Sequence, residues 1–314
     1  MIGISDDRLI VPMITPTINV DGVVTPAEEA RIPVLDRGFL YGDSVYEVFR
    51  TYRNIPLFLE DHFDRLENSA RLIHMQIDQS REQLVEAISE TARAAGVSYE
   101  NPAYVRFQIT RGTGQIDLYP EPDLTSRFVI IVKALPVWAD RLYQRGVDMV
   151  VTAVRRNPSD ALDPNIKGGN YLNNILGLSE ARQHGADDCV MLDASGLVTE
   201  AANSNIWFVI ENRLVTPATG NLKGLTKKHV HIALKEHGLE SSEQDIHVSD
   251  LFGATECFVT SATREVMPCA TLGLPNGQTI HFPEGGGEVT RLAMETYSDY
   301  VDRYIQAHEA EAIA

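Results

Sequence analysis

The chain has 314 residues, 44% of them hydrophobic and 23% charged, a globular composition with length enough for two domains, each burying its own core. Its 27 Lys and Arg residues stand against 44 Asp and Glu, a formal charge of −17 without any basic run, which excludes nucleic acid and anionic membrane as partners. Only six of the cations are lysines, so any chemistry that depends on a lysine has few candidates.

Residues 1–27 read as an extended Thr/Val/Pro-rich lead-in. Strands are expected at 45–52 and 56–59, either side of an Arg53-Asn54 turn. A helix follows over 60–73, with Leu59, Phe63, Leu66, Ala70 and Ile73 at three- and four-residue spacing. A second helix is predicted over 80–95, then strands at 103–111 and 127–134. Residues 135–145 read as a linker between a small α+β domain (1–134) and a larger domain (146–314). The larger domain opens with a strand at 147–154, a Pro-punctuated loop and a helix over 170–184. CVMLDASGLVTE at 189–200 reads as a hairpin turning at Asp193 to Gly196. Strands at 205–210 and 213–216, a helix over 224–237, a strand at 256–260 and a long helix over 288–307 complete the pattern. The fold class is therefore α/β in the broad sense, more strictly α+β, with strands and helices in both domains.

No segment reaches the ~18 consecutive apolar residues of a membrane span, and Asp6, Asp7 and Arg8 interrupt the start, so a soluble, cytoplasmic protein is expected. Cys189, Cys257 and Cys269 form no CxxC pair and are expected as buried thiols in a reducing compartment. Gly112-Thr113-Gly114 lacks the third Gly and the following helix of a dinucleotide loop. The GNLKG stretch at 220–224 lacks the Ser/Thr ending of a phosphate loop. His229, His231 and His237 do not have a zinc-site spacing and read as surface histidines; no metal is expected.

What remains is an ordered set of short motifs: DRGFLYGD at 36–43 running into VYEVFR at 45–50, DHFDRL at 61–66, NIKGGNYL at 165–172, VTEAANSNI at 198–206, GLT at 224–226 and TSATREV at 260–266. Over roughly residues 24–274 this order resembles the class IV aminotransferases, the pyridoxal-phosphate enzymes of fold type IV. The resemblance implies two domains, the larger with a barrel-like β core, and a homodimer whose small-domain loops complete the neighbouring site. It also implies pyridoxal 5'-phosphate as cofactor.

Each matched residue type suits that chemistry. An amine must hold the cofactor and later move a proton between substrate and cofactor; Lys167 matches the family lysine. A carboxylate beside the pyridine nitrogen keeps a proton there, the role implied for Glu200, while Tyr171 matches the tyrosine that hydrogen-bonds the 3'-oxygen. Asn205 falls in the same cofactor-contacting motif. Arg65 matches the phosphate-binding arginine. Leu225 and Thr226 offer a helix N-terminus to the phosphate, and Ser261, Ala262 and Thr263 match the turn that closes the phosphate cup, with Ala262 where many members carry a hydroxyl.

On the substrate side, Tyr41 and Glu47 fall where the family builds its side-chain pocket. Tyr104 and Arg106 resemble the Tyr-x-Arg strand that receives carboxylates in branched-chain aminotransferases. That subfamily usually reads Phe-Glu-Gly where this chain has Tyr46-Glu47-Val48, and Val48 narrows space that Gly leaves open. The 111–118 stretch lacks the Arg-x-His pair typical of D-amino acid aminotransferases. Transfer of an amino group from a branched-chain or hydrophobic amino acid to a 2-oxo acid such as 2-oxoglutarate is the implied reaction. A D-amino acid or (R)-amine transaminase and an aminodeoxychorismate lyase are the alternatives.

Overall fold

In the computed structural model, which describes residues 14–136 and 138–314, two sheets face a common cavity. The first contains β1 (Thr17–Val20), β2 (Val23–Pro26), β3 (Ser44–Tyr52), β4 (Ile55–Pro56), β5 (Ala103–Thr110) and β6 (Arg127–Ala134) in the order β2-β1-β6-β5-β3-β4, every neighbouring pair antiparallel. The lead-in expected over 1–27 thus contains a hairpin from Thr17 onward; residues 1–13 lie outside the described residues. A short α1 (Arg37–Tyr41) precedes β3, and α2 (Leu59–Leu72) and α3 (Arg81–Ala95) cover the inner face of the sheet. The ends of α3 are written in its sequence: Ser80 and Gln83 form a reciprocal capping box, and Gly96 ends the helix at φ +82°.

Strand periodicity decides what this sheet presents to each side. Along β5, Ala103, Val105, Phe107 and Ile109 are fully buried against the helices, leaving Tyr104, Arg106 and Gln108 on the opposite face. Along β3, Val45, Glu47, Phe49 and Thr51 take the core side, and Tyr46, Val48, Arg50 and Tyr52 take the other.

From β6 the chain passes through residues 135–146, which include the short α4 (Arg141–Gln144), into the second sheet. That sheet comprises β7 (Val147–Arg155), β8 (Asp188–Leu192), β9 (Val198–Ala201), β10 (Asn205–Ile210), β11 (Arg213–Pro217), β12 (Ser241–Gln244), β13 (Ala254–Ser261), β14 (Glu265–Gly273) and β15 (Thr279–His281). Its order is β12-β11-β10-β13-β14-β7-β8-β9, with β15 on β14. β7 runs parallel to β8 and β14, and β12 parallel to β11. The sheet curls so that β9 packs near β10 and β11, and a bridge joins Leu197 to His247. This half-barrel encloses Val190, Ile206, Phe208, Val259 and Met267, all fully buried. Outside it lie α5 (Leu172–Gln183) against β7 and β8, and α6 (Leu225–Glu236) and α7 (Glu288–Ala307), which pack on each other and on β13. The three cysteines are free and buried, as expected. No helix among the described residues is long and apolar enough to cross a membrane.

Candidate active site

The outward face of β3 and β5, the loop before α5, the ends of β9 and β13, and the start of α6 surround a cavity of about 350 Å³. Of the residues singled out by sequence, all except Tyr41 and Glu47 line it.

Lys167 sits between Ile166 and Gly168 in a loop pinned to β3: its carbonyl accepts from the Tyr46 N–H at 2.9 Å, and its own N–H donates to Ser69 Oγ at 3.2 Å. Gly168 and Gly169 make that docking possible, because a Cβ on either would press on Ser44, at 3.2 Å from its carbonyl oxygen and 2.7 Å from its Oγ respectively. The Lys167 ammonium lies 4.7 Å from the centre of the Tyr46 ring. The hydroxyls of Tyr46 and Tyr171 are hydrogen-bonded to each other. Burial pushes the Tyr171 phenol up to about 12, against the opposing charge of Lys167.

Glu200, in the middle of β9, is 6% exposed. Its Oε1 receives Arg156 at 2.7 Å and its Oε2 the Leu222 N–H at 3.1 Å. Burial raises its carboxyl above the ordinary value, and Arg156 works against that rise. Sequence reasoning missed Arg156. The signal was there in Arg155-Arg156 at the exit of β7: alternation sends one arginine of the pair inward, where it also donates to Asn173 and Asn174 of α5 at 3.2 and 3.1 Å.

Three elements supply anion-binding groups. Arg65 on α2 is 12% exposed at its side chain. Three of its five N–H groups are taken, two by Glu47 at 2.7 Å each and one by the Lys223 carbonyl at 3.1 Å. The remaining two are unclaimed among the described residues. Gly224 opens α6 with no side-chain cap, so the first N–H groups of the helix, at Leu225 and Thr226, are open donors at the positive end of the helix dipole. A Cβ at 224 would run into Asn205 Oδ1, so any larger residue there would displace the Asn205 side chain. The third element is the turn at Ser261, Ala262 and Thr263, whose backbone is held from outside by Trp138 Nε1 on the Thr263 carbonyl at 2.9 Å and by Tyr143 on the Arg264 carbonyl at 3.2 Å. The stretch expected as a linker therefore also buttresses the site. Asn205 lines the cavity but spends its amide on the 221–222 loop, at 2.8 Å from the Leu222 carbonyl.

The remaining cavity wall is the β3/β5 face. The Arg106 guanidinium stacks on Tyr46 at 3.6 Å from the ring centre and is steered by Gln108 Oε1 at 2.8 Å. Tyr104 and Val48 stand beside it on the same face.

Two sequence expectations are not met within one chain. Glu47 faces the core, wholly buried between β3 and α2, because period-two alternation gives the cavity face to Tyr46 and Val48; it contacts Arg65 and His62, not the cavity. Tyr41 ends α1 beneath the Arg37 guanidinium, 5.0 Å from its ring, away from this cavity. His229, expected at the surface, is 6% exposed, and Lys227 on the same helix is 2% exposed. Lys227 Nζ is satisfied by the Pro217 carbonyl at 3.0 Å, Asn221 Oδ1 at 3.2 Å and Glu243 at 3.2 Å.

An amine, a buried carboxylate backed by an arginine, a tyrosine hydroxyl and an anion cup built from a guanidinium, a helix N-terminus and a turn together fit the ring nitrogen, 3'-oxygen and phosphate of pyridoxal phosphate. The fold and this donor set define a pyridoxal-phosphate enzyme of fold type IV. The family model "Amino-transferase class IV" matches residues 44–272. The chain is 33% identical over 284 residues, 90% of its own length and 95% of the other's, to a putative branched-chain-amino-acid aminotransferase of Methanocaldococcus jannaschii. Among solved structures, it superposes on the branched-chain aminotransferase of Thermoproteus uzoniensis with norvaline at a TM-score of 0.82, with 28% identity, covering 92% of this chain and 97% of that one. It matches the branched-chain amino acid aminotransferase of Thermobaculum terrenum in its PLP-form (holo-form) at a TM-score of 0.78, with 26% identity and coverage of 92% and 94%. The chain belongs to the class IV aminotransferases, and its activity is pyridoxal-phosphate-dependent transamination.

Proposed function

We propose that the chain moves an amino group from a branched-chain or other hydrophobic L-amino acid to a 2-oxo acid such as 2-oxoglutarate. The observation that carries this reading is the convergence of Lys167, Glu200, Arg65 and the α6 N-terminus on one cavity whose other wall is the Tyr104/Arg106 strand. When bound, pyridoxal phosphate supplies the electron sink that stabilises negative charge at the substrate Cα. Lys167 would hold the cofactor and, once displaced by the incoming amine, would take the proton from the substrate Cα as a general base and deliver it to the cofactor's C4' as a general acid.

Glu200 would hold a proton at the pyridine nitrogen as a carboxylate, the form that Arg156 favours against the burial that raises its proton affinity. Tyr171 orients the ring through its hydroxyl. Arg65, the N–H groups of Leu225 and Thr226, and the Ser261 to Thr263 turn bind the phosphate, and Asn205 keeps the Glu200-binding loop in place. Arg106 and Tyr104 receive the substrate carboxylate. The global charge of −17 repels acidic substrates, so capture falls to these local cations and dipoles.

The same reading includes residues 1–134 and 146–314 as the two domains joined by 135–145. It also includes a homodimer in which Tyr41 reaches the neighbouring site, and a cytoplasmic location, supported by three unpaired buried thiols. The test is a panel of L- and D-amino acids and (R)-1-phenylethylamine with 2-oxoglutarate, run on wild type and Lys167→Ala. Turnover of L-leucine, L-isoleucine and L-valine by a yellow wild type, lost in Lys167→Ala, supports the reading. Turnover confined to D-amino acids or the amine, or product formation without an acceptor, rejects it.

A further inference from the structure

Arg65 and the start of α6, the two fixed sides of the anion cup, stand on helices that pack against different sheets. One tie is the Arg65 bond to the Lys223 carbonyl at 3.1 Å, two residues before α6; a second joins the helices themselves. Asp61 lies one turn before Arg65 on α2, and His229 one turn after Leu225 on α6. Asp61 Oδ2 and His229 Nε2 are 2.7 Å apart, and Asp61 Oδ1 receives Lys228 Nζ at 2.7 Å.

The rest of the histidine is equally constrained. Its ring lies flat on Phe58, with centroids 3.5 Å apart and planes at 15°. Phe58 is the residue that starts α2, in a left-handed conformation at φ +55°. Nδ1 is 3.1 Å from the Tyr300 hydroxyl on α7. Asp61 accepts, so Nε2 carries the hydrogen and Nδ1 is free to accept from Tyr300; a neutral ring satisfies every partner, and burial holds the imidazole in that form by lowering its proton affinity. His62, the next residue on α2, fastens the other side of the same turn to Glu47 at 2.6 Å.

We propose that Asp61 and His229 are positioning residues for cofactor phosphate: their hydrogen bond sets the separation between Arg65 and the α6 N-terminus, so that both grip one phosphate. This rests on the reading of Arg65, Leu225 and Thr226 as the phosphate cup. Neither residue lines the cavity. The pair acts on phosphate affinity, where a mere tether between helices would act only on stability.

Dissociation constants of pyridoxal 5'-phosphate and of phosphate-free pyridoxal, measured by absorbance after resolving and reconstituting the enzyme, separate these. In His229→Phe, which keeps the stacking and loses the hydrogen bond, the preference for the phosphorylated form falls about tenfold, the size expected for one lost charge-assisted bond. His229→Gln, whose amide still reaches Asp61, recovers part of it. Asp61→Asn, close in volume to the native residue, shows the same selective loss and serves if His229→Phe does not fold. An unchanged preference, or equal weakening of both ligands, overturns the proposal. A wild type that binds pyridoxal as tightly as pyridoxal 5'-phosphate overturns the phosphate cup itself and the proposal with it.

Discussion

Glu47 and Arg65 meet in a two-pronged ion pair, both hydrogen bonds 2.7 Å long, with the carboxylate completely buried. The pair holds the Nε side of the guanidinium against the core and, with the Lys223 carbonyl taking one more N–H, leaves two donors of this cavity-lining arginine unclaimed among the described residues. Removing Glu47 strands a desolvated arginine, which costs about 3–5 kcal/mol. Glu47→Ala is expected to unfold at correspondingly lower urea and to bind pyridoxal phosphate weakly; stability within 1 kcal/mol of wild type, on the order of an ordinary surface change, would contradict the arrangement.

The same pair sets an acid limit. Burial alone would raise the Glu47 carboxyl, but Arg65 and then His62 hold it at about 2, against an ordinary value of 4.5. A depressed carboxyl stabilises the fold above its unfolded value, and that contribution drains away as pH falls through the folded one. At ~1.4 kcal/mol per unit, it is worth on the order of 3 kcal/mol. Urea titrations of wild type and Glu47→Gln are expected to differ by a steady amount above about pH 5.5, ~1 unit over the ordinary value, where little protonation occurs, with the gap narrowing below that and closing toward the folded value of about 2. A gap that widens on acidification would show the sign to be wrong.

Glu200 and Arg156 should separate binding from turnover. Glu200→Ala removes the proton holder at the ring nitrogen while leaving Arg65 and α6 untouched, so cofactor stays bound and kcat falls on the order of a hundredfold, about 2.7 kcal/mol. Arg156→Met removes the group opposing the burial-driven rise of the Glu200 pKa. Its kcat should also fall, with the acid limb of the kcat profile moved to higher pH. Stopped-flow half-reactions read both, and an unchanged kcat in Glu200→Ala would reject its role.

Local pattern carried much of this fold in the sequence. The long helix was expected over 288–307, and it occupies Glu288–Ala307 with Ala293, Tyr297, Val301 and Ile305 buried. Strands 127–134 and 205–210 likewise stand where alternation and apolar runs put them. The strands without that pattern were not legible: β12 is polar and joins the sheet only as a parallel edge, and β14 carries Pro268 within an almost continuous buried run.

The site motifs were legible because each is short and local. What they hid was direction. Glu47 faces away from the cavity by strand phase, and His229 and Lys227 are polar residues whose partners, Asp61 and Glu243, arrive from 168 and 16 residues away in the chain. For Arg156, alternation at the exit of β7 says that one arginine of the pair turns inward, but its partner Glu200 arrives from 44 residues away in the chain.

An exposed apolar face on α5 bears on assembly. Leu172, Ile175 and Leu176, at three- and four-residue spacing, are 68%, 54% and 51% exposed on the helix that follows Lys167, an arrangement a monomer rarely leaves to water. In the proposed homodimer this face is covered by the second copy. Sedimentation is expected to give twice the chain mass of 34.8 kDa, and Ile175→Glu with Leu176→Glu the single mass. A monomeric wild type with full turnover would remove the partner from the site.

Val48 should set how much side chain the pocket admits. It stands on the cavity face of β3 between Tyr46 and Arg50, in the same row of outward residues, and borders the cavity with Tyr104. Trimming it to Gly removes an isopropyl group from the wall without touching Lys167, Glu200 or the anion cup. A hydrophobic wall discriminates by ~1–3 kcal/mol per methylene, or about 10–200-fold, so Val48→Gly should raise kcat/KM for L-leucine or L-phenylalanine relative to L-valine by about tenfold. The backbone cost of Gly in a strand is ~1 kcal/mol, which lowers stability for all donors equally and leaves the ratio to report the pocket. If the ratio stays at its wild-type value while the half-reaction rates remain measurable, the substrate side chain lies against another wall, and the β3 face is not the specificity surface.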